Sequence, residues 1–119
     1  MPNTIALDSI ERSMTLRIAE VLKGRIGKKN SITNRSLQDA FPELSERSIQ
    51  AIINHIRNND LVPCLIASSR GYYIAENEAE LLEYEKSLTN RIGELVKVRE
   101  KISEQRARTY SQPYQARLF

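Results

Sequence analysis

Among its 119 residues the chain has one cysteine, Cys64, one histidine, His55, and no tryptophan. A single thiol cannot close a disulfide within the chain, and one thiol with one imidazole cannot assemble a zinc cluster. A reducing, cytoplasmic setting is therefore expected. Long apolar runs are missing too. No stretch approaches the roughly 20 apolar residues of a membrane span, and residues 1–10 hold neither a basic n-region nor an apolar h-region. A soluble protein is the expectation. The inventory is equally poor in catalytic parts: there is no glycine-rich phosphate loop, no nucleophile beside a base, and no carboxylate cluster outside a charged helix. Neither catalysis nor a cofactor is expected.

Charge is plentiful but nearly balanced, with a formal net charge of +3. Residues 1–75 carry 10 Lys and Arg against 7 Asp and Glu, whereas residues 76–119 carry 8 against 8, so the whole excess lies in the first part. This bias fits contact with phosphates, although many inert domains share it.

Apolar periodicity divides the chain into an N-terminal extension (1–14), a domain (15–75), a long helix (76–108) and a tail (109–119). In the domain, Leu16, Ala19, Val21, Leu22 and Ile26 predict a first helix from Thr15, closed near Gly27. Ser31 to Thr33 can form a short strand or turn. A second helix spans about Asn34 to Phe41 with Leu37, Ala40 and Phe41 inward, and Pro42 stops it. Ser45 is placed to cap a third helix running to Asn58, with Ile49, Ile52, Ile53 and Ile56 on its inner face. Leu61 to Ala67 and Tyr72 to Ala75 are rich in strand formers around the turn Ser68-Ser69-Arg70-Gly71, which predicts a hairpin. One of Tyr72 and Tyr73 should face the core and the other solvent. Cys64 is expected to be a small buried apolar group. Three helices followed by a hairpin make the expected fold mainly α, a winged helix-turn-helix.

The isoleucines of the third helix leave Arg47, Gln50, Ala51, Asn54, His55 and Arg57 outward or on the flanks. Arginine can pair with guanine, Gln and Asn with adenine, and alanine lets a helix approach a thymine methyl. These residues are candidates for DNA contact, and the same face would equally suit a solvated helix with no ligand. His55 has no second ligand at metal-binding spacing, so a phosphate or base contact is the better reading. Arg70 at the hairpin tip is a candidate for minor-groove or backbone contact. Lys28, Lys29 and Arg35, together with Ser36 and the free amides at the start of the second helix, are candidates for phosphate contact.

After the domain, Leu81, Leu88, Leu95 and Ile102 repeat every seven residues, with Tyr84, Ile92 and Val98 between them and charged residues alongside. A coiled coil that pairs two chains, or a hairpin-like packing back onto the domain, is expected. Arg91 at a core position and Gly93 in mid-helix weaken the repeat. The chain ends Gln115-Ala116-Arg117-Leu118-Phe119 after Pro113, a tether bearing two adjacent apolar anchors suited to a pocket.

The stretch from Ile32 to Ala75, with its Ser-Glu-Arg-Ser-Ile helix start and Ser-Ser-Arg-Gly-Tyr-Tyr-Ile wing, resembles winged-helix proteins encoded by bacteriophages and related mobile elements. The tail is similar to the Gln-x-x-Leu-Phe motif by which replication and repair proteins dock on the bacterial sliding clamp. Gln115, Leu118 and Phe119 match its anchoring positions, while Ala116 and Arg117 depart from the common middle residues. With the heptad helix as the pairing element, the resemblances imply a protein in the cytoplasm of a bacterial host that binds double-stranded DNA and recruits the clamp. A dimeric transcriptional regulator, or an interaction module acting on host replication proteins, are the alternatives.

Overall fold

The computed structural model describes residues 7–110. Helix α1 spans Ser9–Lys23, α2 spans Asn34–Ala40 and α3 spans Glu46–Asn58; strands β1 (Leu65–Ser68) and β2 (Gly71–Ile74) follow, then α4 (Glu78–Tyr110). One 3-10 turn, Lys28–Asn30, lies between α1 and α2. The chain is mainly α with a two-stranded hairpin, in a winged-helix-like order. It divides into two units, one up to Leu81 and one from Leu82.

Helix α1 starts six residues before the expected Thr15 because of a polar signal, not an apolar one. The Asp8 carboxylate accepts from the Glu11 amide at 2.7 Å, and the Glu11 carboxylate accepts from the Asp8 amide at 3.0 Å, so each satisfies a donor that the first helical turn leaves unpaired. The buried face is also rotated from the expected one. Thr15, Ile18, Ala19 and Leu22 point inward, while Leu16 and Ile26 are exposed. Thr15 tolerates burial because its hydroxyl donates to the Glu11 carbonyl at 2.8 Å.

Ile18, Leu22 and Leu37 meet the α3 isoleucines Ile49, Ile52, Ile53 and Ile56 in one core that includes Phe41, Leu44, Val62, Leu65 and Tyr72. Ala40, expected inward, is exposed; Phe41, just past the end of α2, is buried. Pairing in the hairpin is antiparallel, with Leu65 opposite Ile74 and Ile66 opposite Tyr73. Leu61 and Val62, expected in the first strand, precede it.

The opposite face of β2's backbone is not left open. The Ile32 and Tyr72 amides and carbonyls exchange bonds at 3.0 and 2.8 Å, the Gly27 amide donates to Ile74 at 2.8 Å, and the Ile74 amide donates to Arg25 at 2.7 Å. The segment between α1 and α2 thus protects an edge that would otherwise be unpaired. Both tyrosines are buried, contrary to the alternation expected for a half-exposed strand: Tyr72 lies on the core face and Tyr73, with Ile66, on a second covered face. Cys64 is exposed, not buried, because it occupies a left-handed turn position (φ 66°) ahead of β1.

The second unit consists of α4 from Leu82 onward, and α4 is one unbroken helix that extends to Tyr110, past the expected end at residue 108. Gly93 does not interrupt it. No residue of α4 is buried.

A candidate nucleic-acid interface

Helix α3 begins where the Ser45 hydroxyl accepts from the Ser48 amide at 3.1 Å. From that start its inward isoleucines set the helix rotation, since each residue turns about 100°. Arg47, Gln50, Ala51, Asn54 and Asn58 then fall within an arc of about 100° centred opposite the isoleucines. Arg47, Gln50 and Asn54 are exposed along that ridge. Ala51 is half-buried against the core, so its methyl sits at the base of the ridge.

His55 and Arg57 are half-buried flank residues. The Asn59 side-chain amide donates to the His55 carbonyl at 2.8 Å and lies 3.3 Å from its Nδ1, which ties the imidazole to the helix end. Arg47, Gln50 and Asn54, the edge that their spacing of three and four predicts, thus stand exposed on one line, with Ala51, His55 and Arg57 lower beside it.

Arg70 occupies the tip of the hairpin and is exposed. The tip is tight because the Ser68 hydroxyl accepts from the Arg70 amide at 3.1 Å and donates to the Gly71 carbonyl at 3.2 Å. Gly71 has φ of 130°, and a Cβ there would lie 2.5 Å from the Ile32 carbonyl oxygen, so only glycine lets the wing approach the α1–α2 connection. Lys28 and Lys29 are exposed on the 3-10 turn. Among the described residues, the side chains of Arg47, Arg70, Lys28 and Lys29 enter no ion pair.

Arg35 differs, for it lies 3.6 Å from Asp39 in an exposed pair. Such a pair is weak enough for a phosphate to displace the carboxylate. At Ser36 the expected free amide is already taken: it donates to the Thr33 hydroxyl at 3.0 Å, and the Ser36 hydroxyl accepts from Thr33 at 3.0 Å. Thr33 thus caps α2 and takes the Ser36 amide.

Asn34 was not anticipated as a site residue. Its Nδ2 donates to the Glu46 carbonyl at 3.2 Å and to the Tyr72 hydroxyl at 3.0 Å, while its Oδ1 accepts from Gln38 at 2.8 Å. One side chain thereby joins α2, the first turn of α3 and the wing. These partners lie 12 and 38 residues away, beyond any periodicity signal.

Considered alone, α4 carries Leu81, Tyr84, Leu88, Ile92, Leu95, Val98 and Ile102 within an arc of about 120°. Leu81, Tyr84 and Leu88 are half-buried; Ile92, Leu95, Val98 and Ile102 are 57 to 68% exposed. Gln115, Leu118 and Phe119 lie outside the described residues. Among the described residues no group of His, Cys, Asp or Glu could hold a metal ion, and no helix is long and apolar enough to cross a membrane. No protein-family model, curated protein or solved structure matches the chain.

Proposed function

We propose that this protein binds double-stranded DNA through α3 and the hairpin wing, pairs through α4, and engages a bacterial sliding clamp through Gln115, Leu118 and Phe119, as a replication accessory of phage type. The observation that carries the DNA reading is the α3 ridge. Arg47, Gln50 and Asn54 share one exposed line directly opposite a fully buried isoleucine face, so the helix is anchored on one side and offers base-reading side chains on the other. Four cations without carboxylate partners, on the ridge, the wing tip and the 3-10 turn, supply groups for phosphates. The role is binding, with affinity drawn from phosphates and selectivity from a few base contacts.

Fluorescence anisotropy with labelled duplex DNA tests this. Wild-type affinity should fall steeply as salt rises, and an Arg47→Ala, Gln50→Ala, Asn54→Ala triple variant should bind at least about tenfold more weakly. Arg70→Ala should reduce the slope of log affinity against log salt by about one. Unchanged affinity in the triple variant would sink the α3 proposal. The tail is tested separately, by capture of purified sliding clamp with the full chain and with a chain lacking residues 115–119. Capture by the shortened chain would rule out the tail as the docking element.

A further inference from the structure

Helix α4 carries an asymmetry that neither solubility nor helix propensity requires. Residues 78–93 hold Glu78, Glu80, Glu83 and Glu85 against Lys86 and Arg91, a net of −2; residues 94–110 hold five basic residues against Glu94, Glu100 and Glu104, a net of +2. Acidic starts and basic ends favour any helix, but that effect fades within the first and last turns. Here Glu85 and Arg99 lie two turns or more inside the ends.

Their placement relative to the apolar stripe is more telling. Glu85, Ile92 and Arg99 recur at seven-residue intervals along one flank of the stripe. Neither Glu85 nor Arg99 has an ion-pair partner among the described residues, whereas Glu94 pairs with Lys97, and Glu104 with Lys101 and Arg108. A two-fold axis beside Ile92 reverses this flank onto itself: Ile92 meets Ile92 of a second copy, and each Glu85 meets an Arg99. The same reversal sets Leu88 against Val98 and Ile102 against Tyr84. Arg91 then faces Leu95 of the second copy, next to its Glu94.

The parallel, in-register alternative would bring Glu94 beside Arg99, but it would stack Arg91 on Arg91 inside the seam and set Glu80 beside Glu85 and Lys101 beside Arg106, all three like-charge contacts. A contiguous stripe that includes Ile92, Leu95, Val98 and Ile102, all more than half exposed, is apolar surface of the kind that marks an interaction site. We infer that α4 pairs with α4 of a second copy in antiparallel register, centred at Ile92 and Gly93. This rests on the proposal that the chain dimerises and specifies how.

Cross-linking of the full chain in a Cys64→Ser background decides between the orientations. In the antiparallel register, a Leu88→Cys variant mixed with a Val98→Cys variant should oxidise to a mixed disulfide, while either variant alone should not. Residues 88 and 98 are separated by about 15 Å along one helix, far beyond the reach of a disulfide. A Glu85→Lys variant, kept folded because residue 85 is exposed, should weaken dimerisation about tenfold at low salt; in a parallel pair it would strengthen it. Cross-linking of each variant alone, or tighter dimers with Glu85→Lys, would overturn the antiparallel arrangement and leave dimerisation standing. A monomeric mass in sedimentation would overturn both, and none of these results bears on DNA contact by α3.

Discussion

Among the described residues, the largest fully buried side chains are seven isoleucines and leucines, all before Leu81, whereas α4 over its 33 residues buries none. Both regions carry apolar stripes in sequence, yet they use them differently. In the first, three helices and a hairpin supply one another's apolar surface, so short helices such as α2, with seven residues, persist through packing rather than propensity. In the second, no residue of α4 is buried, and its apolar side chains form one stripe along the helix. A stripe on a lone helix stabilises nothing until another surface covers it. The lesson is that a hydrophobic repeat has no fixed meaning. Its contribution depends on whether the partner lies within the same chain.

Substitutions at matched positions break this comparison most forcefully. Ile52→Ala should destabilise the first unit by about 2–5 kcal/mol, since the side chain is fully buried and its loss leaves a cavity. Leu95→Ala, a comparable truncation at a side chain 68% exposed, should leave the urea midpoint of that unit unchanged and instead lower the mass seen in sedimentation. Equal losses of unfolding free energy for both variants would show that the two regions are not distinct in this way.

A smaller effect is expected at Asn34. Asn34→Ala removes donors to the Glu46 carbonyl and the Tyr72 hydroxyl, and should cost about 1–2 kcal/mol in chemical denaturation. Because it loosens α3 and the wing together, amide exchange should rise in both; faster exchange confined to α2 would contradict its bridging role. Smallest is Gly93→Ala. A Cβ there meets nothing within 4 Å, and alanine should stabilise α4 by up to about 1 kcal/mol, read as increased helicity on heating, with no change in the first unit.

Much of the fold was legible in residue order. The isoleucines of α3 announce both the helix and its inner face, and Ser45 announces its start, because capping and burial are local consequences of residue type and spacing. The hairpin was legible from Ser68 to Gly71. Misreadings cluster where contact depends on distant segments. Leu16 belongs to the apolar stripe of α1 yet is exposed, because Ile18 and Leu22 match the position of α3, which α1's own residues do not reveal. Alternation puts one of Tyr72 and Tyr73 in solvent because it describes a sheet with one open face, and this hairpin buries both. By its type Cys64 reads as a core residue, whereas it is exposed in a left-handed turn conformation.

The candidate site divides along the same line. Residue identity alone marks Arg47, Gln50 and Asn54 as one ridge, because helical rotation relative to four isoleucines is fixed by spacing. The heptad of α4 and the reversal of charge along it are likewise properties of residue order. Tertiary structure alone decided that Ala51, His55 and Arg57 sit lower than the ridge, that Thr33 already occupies the Ser36 amide, and that Asn34 ties the wing to α3. Burial and hydrogen bonding between segments far apart in the chain depend on where each backbone passes the others, and no local periodicity encodes that distance.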